Sequence, residues 1–432
     1  MSLMSWGMYP RIKSSAFRFD TNESLKEIIS THSELISYGN GRSYGDSALG
    51  TNILEVRPHN YFLDFDEESG LLHLQAGVLL SEILESFVPR GWFLTITPGT
   101  KLITVGGAIA SDVHGKNHHV RGCFSECVKD FEIMLASGEI VTCSREKTPE
   151  LFRATCGGQG LTGVILTARI RLTRIHSSYI DQTTIKSGNL EDTFKAFEEY
   201  RDFPYSVAWI DCLAKGADTG RGLLMAGDFR NDGKFSYEKK REHSVPFNFP
   251  AVVLNKWSIK VFNRLYYSKA KSGGASQVVD IDDFFYPLDA LSHWNRIYGK
   301  RGFIQYHFVL PKEHGYQGIK EVLNIVAGKG KGSFLAVLKL CGMANDNYLS
   351  FPMEGYSLAL DFRIEAGLFQ MLDELDQIIL KYKGRIYLAK DARVRKEVFE
   401  KGYPHVDTFR QYRKNNNMID TFESSQSKRL EI

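Results

Sequence analysis

Three glycine clusters, a run of histidines and one late lysine are the parts of this sequence with the means to do chemistry. The first cluster is Gly39-Asn-Gly-Arg-Ser-Tyr-Gly45, and the third is Gly157-Gly-Gln-Gly160. The second runs from Thr97-Pro-Gly-Thr-Lys101 into Thr104-Val-Gly-Gly-Ala-Ile-Ala-Ser-Asp-Val-His-Gly-Lys116. Glycine leaves backbone N–H groups unhindered, so loops of this kind can cradle a pyrophosphate. A dinucleotide fingerprint of the GxGxxG type fails at the first cluster, because the spacing there is GxGxxxG and Asp46-Ser-Ala-Leu-Gly50 reads as a loop, not a helix. His114, His118 and His119 invite a metal reading, but glycine follows His114 directly and no carboxylate stands in the HExxH position, so no metal is expected. Lys390, in the strand-like run Tyr387-Leu-Ala-Lys-Asp-Ala-Arg393, is either an ordinary surface lysine paired with Asp391 or a functional one. Cys123 and Cys127 form no CxxC pair, and all six cysteines read as incidental thiols.

The elements that must position these groups fall into two textures. Up to about Ser178, short β-rich runs separate the glycine clusters: Leu71 to Ala76, Phe131 to Ala136, Glu139 to Cys143 and Gly163 to Leu172, with a hairpin turn at Ser137-Gly138. Helices are expected at Leu80 to Val88 and Pro149 to Thr155. Beyond it, aromatic runs such as Tyr205 to Asp211, Phe303 to Leu310 and Tyr356 to Phe362 alternate as half-buried antiparallel strands do, with helices at Leu190 to Tyr200 and Gly367 to Tyr382. The expected fold is α+β with two domains, residues 1–178 and 179–384, and a carboxyl-terminal segment, 385–432, that returns to the first. Gly227 to Gly274 is rich in lysine, arginine and aromatics and reads as a mobile basic segment.

A chain of 432 residues with 43% hydrophobic and 24% charged residues is an ordinary globular protein, and a net charge of +3 excludes nucleic-acid binding driven by bulk charge. MSLMSWGMYPRIKS lacks a basic start followed by an apolar run, and no stretch approaches the roughly 18 apolar residues of a membrane span. A cytoplasmic protein, peripheral to the membrane at most, is the expectation.

The order GNGRSYGD, PGT(x)4VGGAIASDVHGKNHH and LFRATCGGQGLTGVI resembles the FAD-binding (PCMH-type) domain of the vanillyl-alcohol-oxidase superfamily. Further motifs make the chain similar to the decaprenylphosphoryl-β-D-ribose 2'-oxidase flavoproteins: Phe285-Tyr-Pro-Leu-Asp289, Ser292-His-Trp-Asn-Arg296, Gly302-Phe-Ile-Gln-Tyr306, Leu338-Lys-Leu340, the Lys390 run with Tyr403-Pro404, and Arg429-Leu-Glu431. This resemblance implies that FAD is held by Gly39, Asn40, Gly41, Arg42, Ser43, Tyr44, Gly45, Pro98, Gly99, Thr100, Gly106, Gly107, Ala108, Ser111, Asp112, His114, Gly115, Asn117, Gly158, Gly160, Gly163, Ile165 and Lys390. It places Lys390, His114, Lys116 and Tyr44 at the chemistry. It also places Trp209, Tyr286, Gln305 and Lys339 at the substrate, together with His307 and Ala359, where this chain departs from the family's glutamine and from the mycobacterial cysteine. Arg42 stands where related flavoproteins carry a flavin-linking histidine, which implies noncovalent FAD. The implied reaction is oxidation of the 2'-hydroxyl of a polyprenylphosphoryl ribose to the keto sugar. A separate NAD(P)H-dependent short-chain reductase would complete an epimerisation to arabinose. The alternative is a flavoenzyme acting on a small soluble polyol or aldonolactone.

Overall fold

A computed structural model describes residues 2–238, 243–250, 253–270 and 274–432. Its fold is α+β. Near the amino terminus, Ser15–Phe17, Asn52–Glu55 and Leu35–Tyr38 form a small parallel sheet with the Asn52–Glu55 strand central. A second, antiparallel sheet has the order Ile140–Cys143, Val128–Met134, Val164–Arg174, Leu71–Gln75, Phe62–Asp66, and Trp92–Leu94 adds to the Val164–Arg174 strand. The hairpin turn falls where expected, with Gly138 at φ +78°, a left-handed conformation that suits glycine. The helix Leu80–Phe87 buries Leu80, Ile83, Leu84 and Phe87, one stripe of a 3.6-residue period, against this sheet's core.

The third sheet has eight strands and is wholly antiparallel. Its order is Ala275–Asp280, Tyr179–Ser187, Gly222–Phe229, Tyr205–Ile210, Ala336–Cys341, Gly355–Arg363, Phe303–Pro311, Arg385–Ile386. The helices Lys312–Lys329 and Leu368–Lys381 pack over it, the second through Leu368, Met371, Leu372, Leu375, Ile378 and Ile379. Each such side chain, fully buried, contributes about 1.5–3 kcal/mol.

Three expectations are corrected here. The central strands are not half-buried: all six residues of Tyr205–Ile210 are covered, as is nearly all of Gly355–Arg363, because the face away from the helices looks into the molecule. Lys390 lies not on a strand but on the 3₁₀ turn Leu388–Lys390, just after the two-residue strand Arg385–Ile386. The basic segment is not a single mobile insertion among its described residues. Gly227 belongs to a strand of the large sheet, and Lys256–Lys269 is a helix capped by the Asn255 side chain. Lys239, Lys240, Arg241, Val252 and Lys271 lie outside the described residues.

The carboxyl-terminal segment packs back on the first glycine cluster. The Ser425 N–H donates to the Leu49 carbonyl, and Arg429 bridges Asp46 and Asp391 at 2.7 and 2.9 Å. Among the described residues no helix is long and apolar enough to cross a membrane.

Candidate functional site

Side chains alternate faces along a strand, so polar residues at every second position of an apolar strand share one face. On the large sheet this rule assembles a floor. Trp209 opposes Val337, Val337 opposes Ala359, and Ala359 opposes His307, which makes one transverse row. The neighbouring rows bring Gln305 opposite Asp361 and Lys339 opposite Ser357. Above this floor lies a cavity of about 670 Å³, whose walls include Gly39 to Tyr44, Pro98 to Thr100, Gly106, Gly107, Ser111, Gly160, Gly163 and Ile165. The same cavity gathers His114, Lys116, Trp209, Gln305, His307, Lys339, Ala359 and Lys390.

Seven other candidates stand outside it. Asp112 is turned away, its carboxylate accepting from the Ser125 N–H and from Asn345, Asn347 and Ser350. Asn117 donates to the Thr95 carbonyl, and Ala108 is wholly buried in the core. Tyr286 is locked into the wall by a 2.6 Å bond between its hydroxyl and that of Thr97. Gly45, Gly115 and Gly158 are packing glycines: a Cβ would fall 1.5 Å from the Asp391 carbonyl, 2.3 Å from that of Thr97 and 1.9 Å from that of Ala154. His118 and His119 also go elsewhere, His118 between the Gly342 N–H and Cys123 Sγ, and His119 to the Phe203 carbonyl. All six cysteines are free and buried, and Cys127 Sγ is satisfied by the Phe124 carbonyl.

Lys390 and Tyr44 form the chemical edge of the cavity. The Tyr44 N–H donates to the Ala389 carbonyl at 3.0 Å, which ties the first glycine cluster to the lysine turn. The Lys390 ammonium then sits 3.6 Å from the centroid of the Tyr44 ring, close enough for a cation–π contact. Lys390 is not paired with Asp391, whose carboxylate is taken by Arg429 and by the Arg393 and Val394 N–H groups. Lys390, Lys116 and Lys339 all line the cavity, and burial desolvates them. Burial brings Lys390 down to about 7, with Lys339 adding to the fall and Asp361 opposing it. Lys116 is likewise brought to about 7 by burial and Lys339. Burial, then the Lys339 charge, holds His114 and His307 well below the usual histidine range, so both are neutral at pH 7.

Sequence reasoning missed three contributors. Asp361 accepts from Gln305 Nε2 at 2.7 Å and from the Tyr298 hydroxyl at 3.4 Å. Asp289 accepts from the Thr100 hydroxyl and the Lys101 N–H, both at 2.8 Å, and fixes the second glycine cluster. Phe262 and Tyr266, on the helix Lys256–Lys269, close the far end. Asp289 stood in a motif already singled out, and Phe262 and Tyr266 lay in the basic aromatic segment without being assigned to the cavity; only Asp361 carried no local signal.

Residues 18–144 match the model of an FAD binding domain. The chain is 33% identical over 453 aligned residues to decaprenylphosphoryl-β-D-ribose oxidase of Mycolicibacterium smegmatis, covering 100% of this chain and 97% of that protein. It is 30% identical over 372 residues to an uncharacterised protein of Streptomyces coelicolor, covering 82% and 100%. Similarity to L-gulonolactone oxidase of Scyliorhinus torazame, 30% over 172 residues, spans only 38% of each chain. The cavity fits a flavin dinucleotide on its own terms. Both ring nitrogens of buried His114 lack a hydrogen-bond partner, and a Cβ on Gly99 would meet nothing within 4 Å, so the walls leave acceptors and backbone open to a polar guest. With an FAD-binding domain at one end and similarity to a single relative from end to end, the chain belongs to the decaprenylphosphoryl-β-D-ribose oxidase family of FAD-dependent oxidoreductases.

Proposed function

We propose that the protein oxidises the 2'-hydroxyl of a polyprenylphosphoryl-β-D-ribofuranose to the 2'-keto sugar, the first half of an epimerisation that a separate NAD(P)H-dependent reductase completes. The observation that carries this reading is the Lys390 amine, poised on the Tyr44 ring at the edge of a cavity that glycine loops roof and Gln305, His307 and Lys339 floor. FAD, when bound, supplies an acceptor for the hydride that leaves the sugar carbon. Gly39 to Ser43, Pro98 to Thr100, Gly106 and Gly107 would hold the dinucleotide. Lys390, brought to about 7, takes the hydroxyl proton in its neutral form. In their protonated forms, Lys116 and Lys339 would supply cationic character beside the reduced ring system and beside the phosphate of the substrate. Trp209 and the aromatic pair Phe262 and Tyr266 supply apolar cover for a lipid.

Anaerobic mixing with polyprenylphosphoryl ribose should bleach the flavin, while free pentitols and aldonolactones should not. Bleaching by the free polyols alone would replace this reading with the soluble-substrate one. The FAD is held noncovalently, because Arg42 offers no imidazole nitrogen for a link and its guanidinium instead lies 4.0 Å over the Trp6 ring. Acid precipitation is therefore expected to send the yellow colour into the supernatant. Flavin retained in the pellet would contradict it.

The lipid tail leads to a membrane surface. Along the helix Lys256–Lys269, Trp257, Val261 and Leu265 recur every four residues and are exposed by 74%, 58% and 60%. Phe262 and Tyr266, on the adjoining face, line the cavity, and Lys256, Lys260 and Arg264 flank the stripe. A stripe of this kind dips into a bilayer while each cation adds about 1 kcal/mol on an anionic surface. The protein should float with anionic vesicles at low salt and less at high salt, and Val261→Glu with Leu265→Glu should abolish flotation. Equal flotation of the two proteins would remove the helix from the contact.

A further inference from the structure

Beside the main cavity lies a second hollow of about 50 Å³. That is room for a water or two. The two spaces are neighbours: Phe334 lines both, and the hydrogen-bonded pair Gln305–Asp361 joins them, with Gln305 on the large cavity and Asp361 on the small one. Tyr298, whose hydroxyl donates to Asp361, shares the small hollow. The Lys331–Glu365 ion pair, 2.6 Å long, also lines the hollow, with the Glu365 side chain 37% exposed. Asp361 itself is 1% exposed and has no cation within 4.0 Å among the described residues. A carboxyl buried without an ion partner is costly to keep charged, and a neutral side chain would accept the Gln305 bond at less cost.

We propose that Asp361 and the small hollow beside it form the proton exit of the active cavity, passing the substrate's hydroxyl proton from the Lys390 side to solvent. The inference rests on the proposed function. The relay moves protons only. The substrate O–H bond breaks and its proton makes the neutral Lys390 amine an ammonium. The ammonium then yields that proton, through a water, to the Asp361 carboxylate. The carboxylic acid so formed releases it to water in the hollow, and both side chains return to their starting forms.

Two further observations support the relay. Burial drives Asp361 up to about 7, against the pull of Gln305, Lys390 and Tyr298, while burial drives Lys390 down to about 7. Donor and acceptor so matched exchange a proton in either direction near neutrality. The two phenols nearby are unsuited to take it: Tyr44 and Tyr298 are held well above the usual phenol range, chiefly by burial.

Asp361→Asn preserves size and an acceptor for Gln305 but cannot carry a proton. In anaerobic stopped-flow with polyprenylphosphoryl ribose, a pH-indicator dye should report proton release in step with flavin bleaching in the wild type. In Asp361→Asn, release should lag by about tenfold or more. Formate, small enough for the space opened by Asp361→Ala, should restore it in that variant. Infrared spectra need no substrate: a buried carboxylic-acid band should titrate near pH 7 in the wild-type protein and vanish in Asp361→Asn. Release that keeps pace with bleaching in Asp361→Asn, or a wild-type protein without that band, overturns the proposal. A wild-type flavin that ribosyl substrate fails to bleach overturns the functional reading, and the infrared titration separates that failure from a failure of Asp361.

Discussion

Lys390→Ala is expected to retain FAD and to slow substrate-driven flavin reduction by about 10²-fold or more, the size of effect a positioned proton-handling group contributes. The expectation follows from where the amine is and what surrounds it. Burial, not a neighbouring carboxylate, is the main cause of its fall to about 7, so a large fraction is neutral at physiological pH and able to accept a proton. The cation–π contact with Tyr44 favours the charged form but only by about 1–2 kcal/mol, enough to orient the amine and too little to cancel the effect of burial. The wild-type reduction rate should therefore rise with pH through an apparent value near 7, because the base is active when deprotonated. Lys390→Ala should lose that limb. Lys390→Arg separates the two roles a cation can play here, since guanidinium keeps the charge and does not deprotonate. A base role makes the arginine variant as slow as the alanine one. Reduction in Lys390→Arg at more than about half the wild-type rate would mean that charge alone matters and that another group takes the proton.

What the sequence made legible was whatever carries its information locally. The glycine loops, the Ser137-Gly138 turn and the amphipathic helices are written in runs of neighbouring residues. Gln305 and His307 were singled out by resemblance to the family, and the structure supplies the physical reason for their pairing: two positions apart on one strand, they share a face. The failures share the opposite property. Asp361 is a lone acid in an apolar run, and its partners Tyr298 and Gln305 lie 63 and 56 residues away. The resemblance implied a flavin contact for Asp112, yet its carboxylate is claimed by Asn345, Asn347 and Ser350, more than 200 residues later. Tyr286 was assigned to the substrate, and a hydroxyl on Thr97 takes it into the wall. Strands such as Gly355–Arg363 looked half-exposed since a sheet roofed by another part of the chain has the same alternation as one facing water. Pairing across such separations is decided by tertiary packing, which no local pattern encodes.

Arg429 shows how a residue remote from the cavity sets its geometry, and removing it should have the largest effect on stability. Its guanidinium joins Asp46, just after the first glycine cluster, to Asp391, just after Lys390, and also donates to the Val394 carbonyl. The two carboxylates are almost completely covered, with side-chain exposures of 6% and 3%. Arg429→Met removes the shared cation and leaves both acids buried, a change of the kind that costs about 3–5 kcal/mol. The pH dependence has a defined sign. Burial already holds Asp46 above the usual carboxylate range, with Arg429 as the main opposing influence, so its loss raises that value further. A carboxyl whose folded-state pKa is raised keeps its stability at acid pH and loses it as pH rises through that value. The gap between wild type and Arg429→Met should thus be smallest near pH 4 and widen toward pH 8, as read by chemical denaturation. A variant in which Asp46→Asn is added should recover part of the loss at pH 8. Because Gln426, on the same helix as Arg429, donates to the Leu388 carbonyl of the lysine turn, loosening this clamp should also displace Lys390 from Tyr44 and lower the flavin reduction rate. Stability in Arg429→Met equal to wild type across that pH range would mean that water solvates both carboxylates and that the clamp holds nothing.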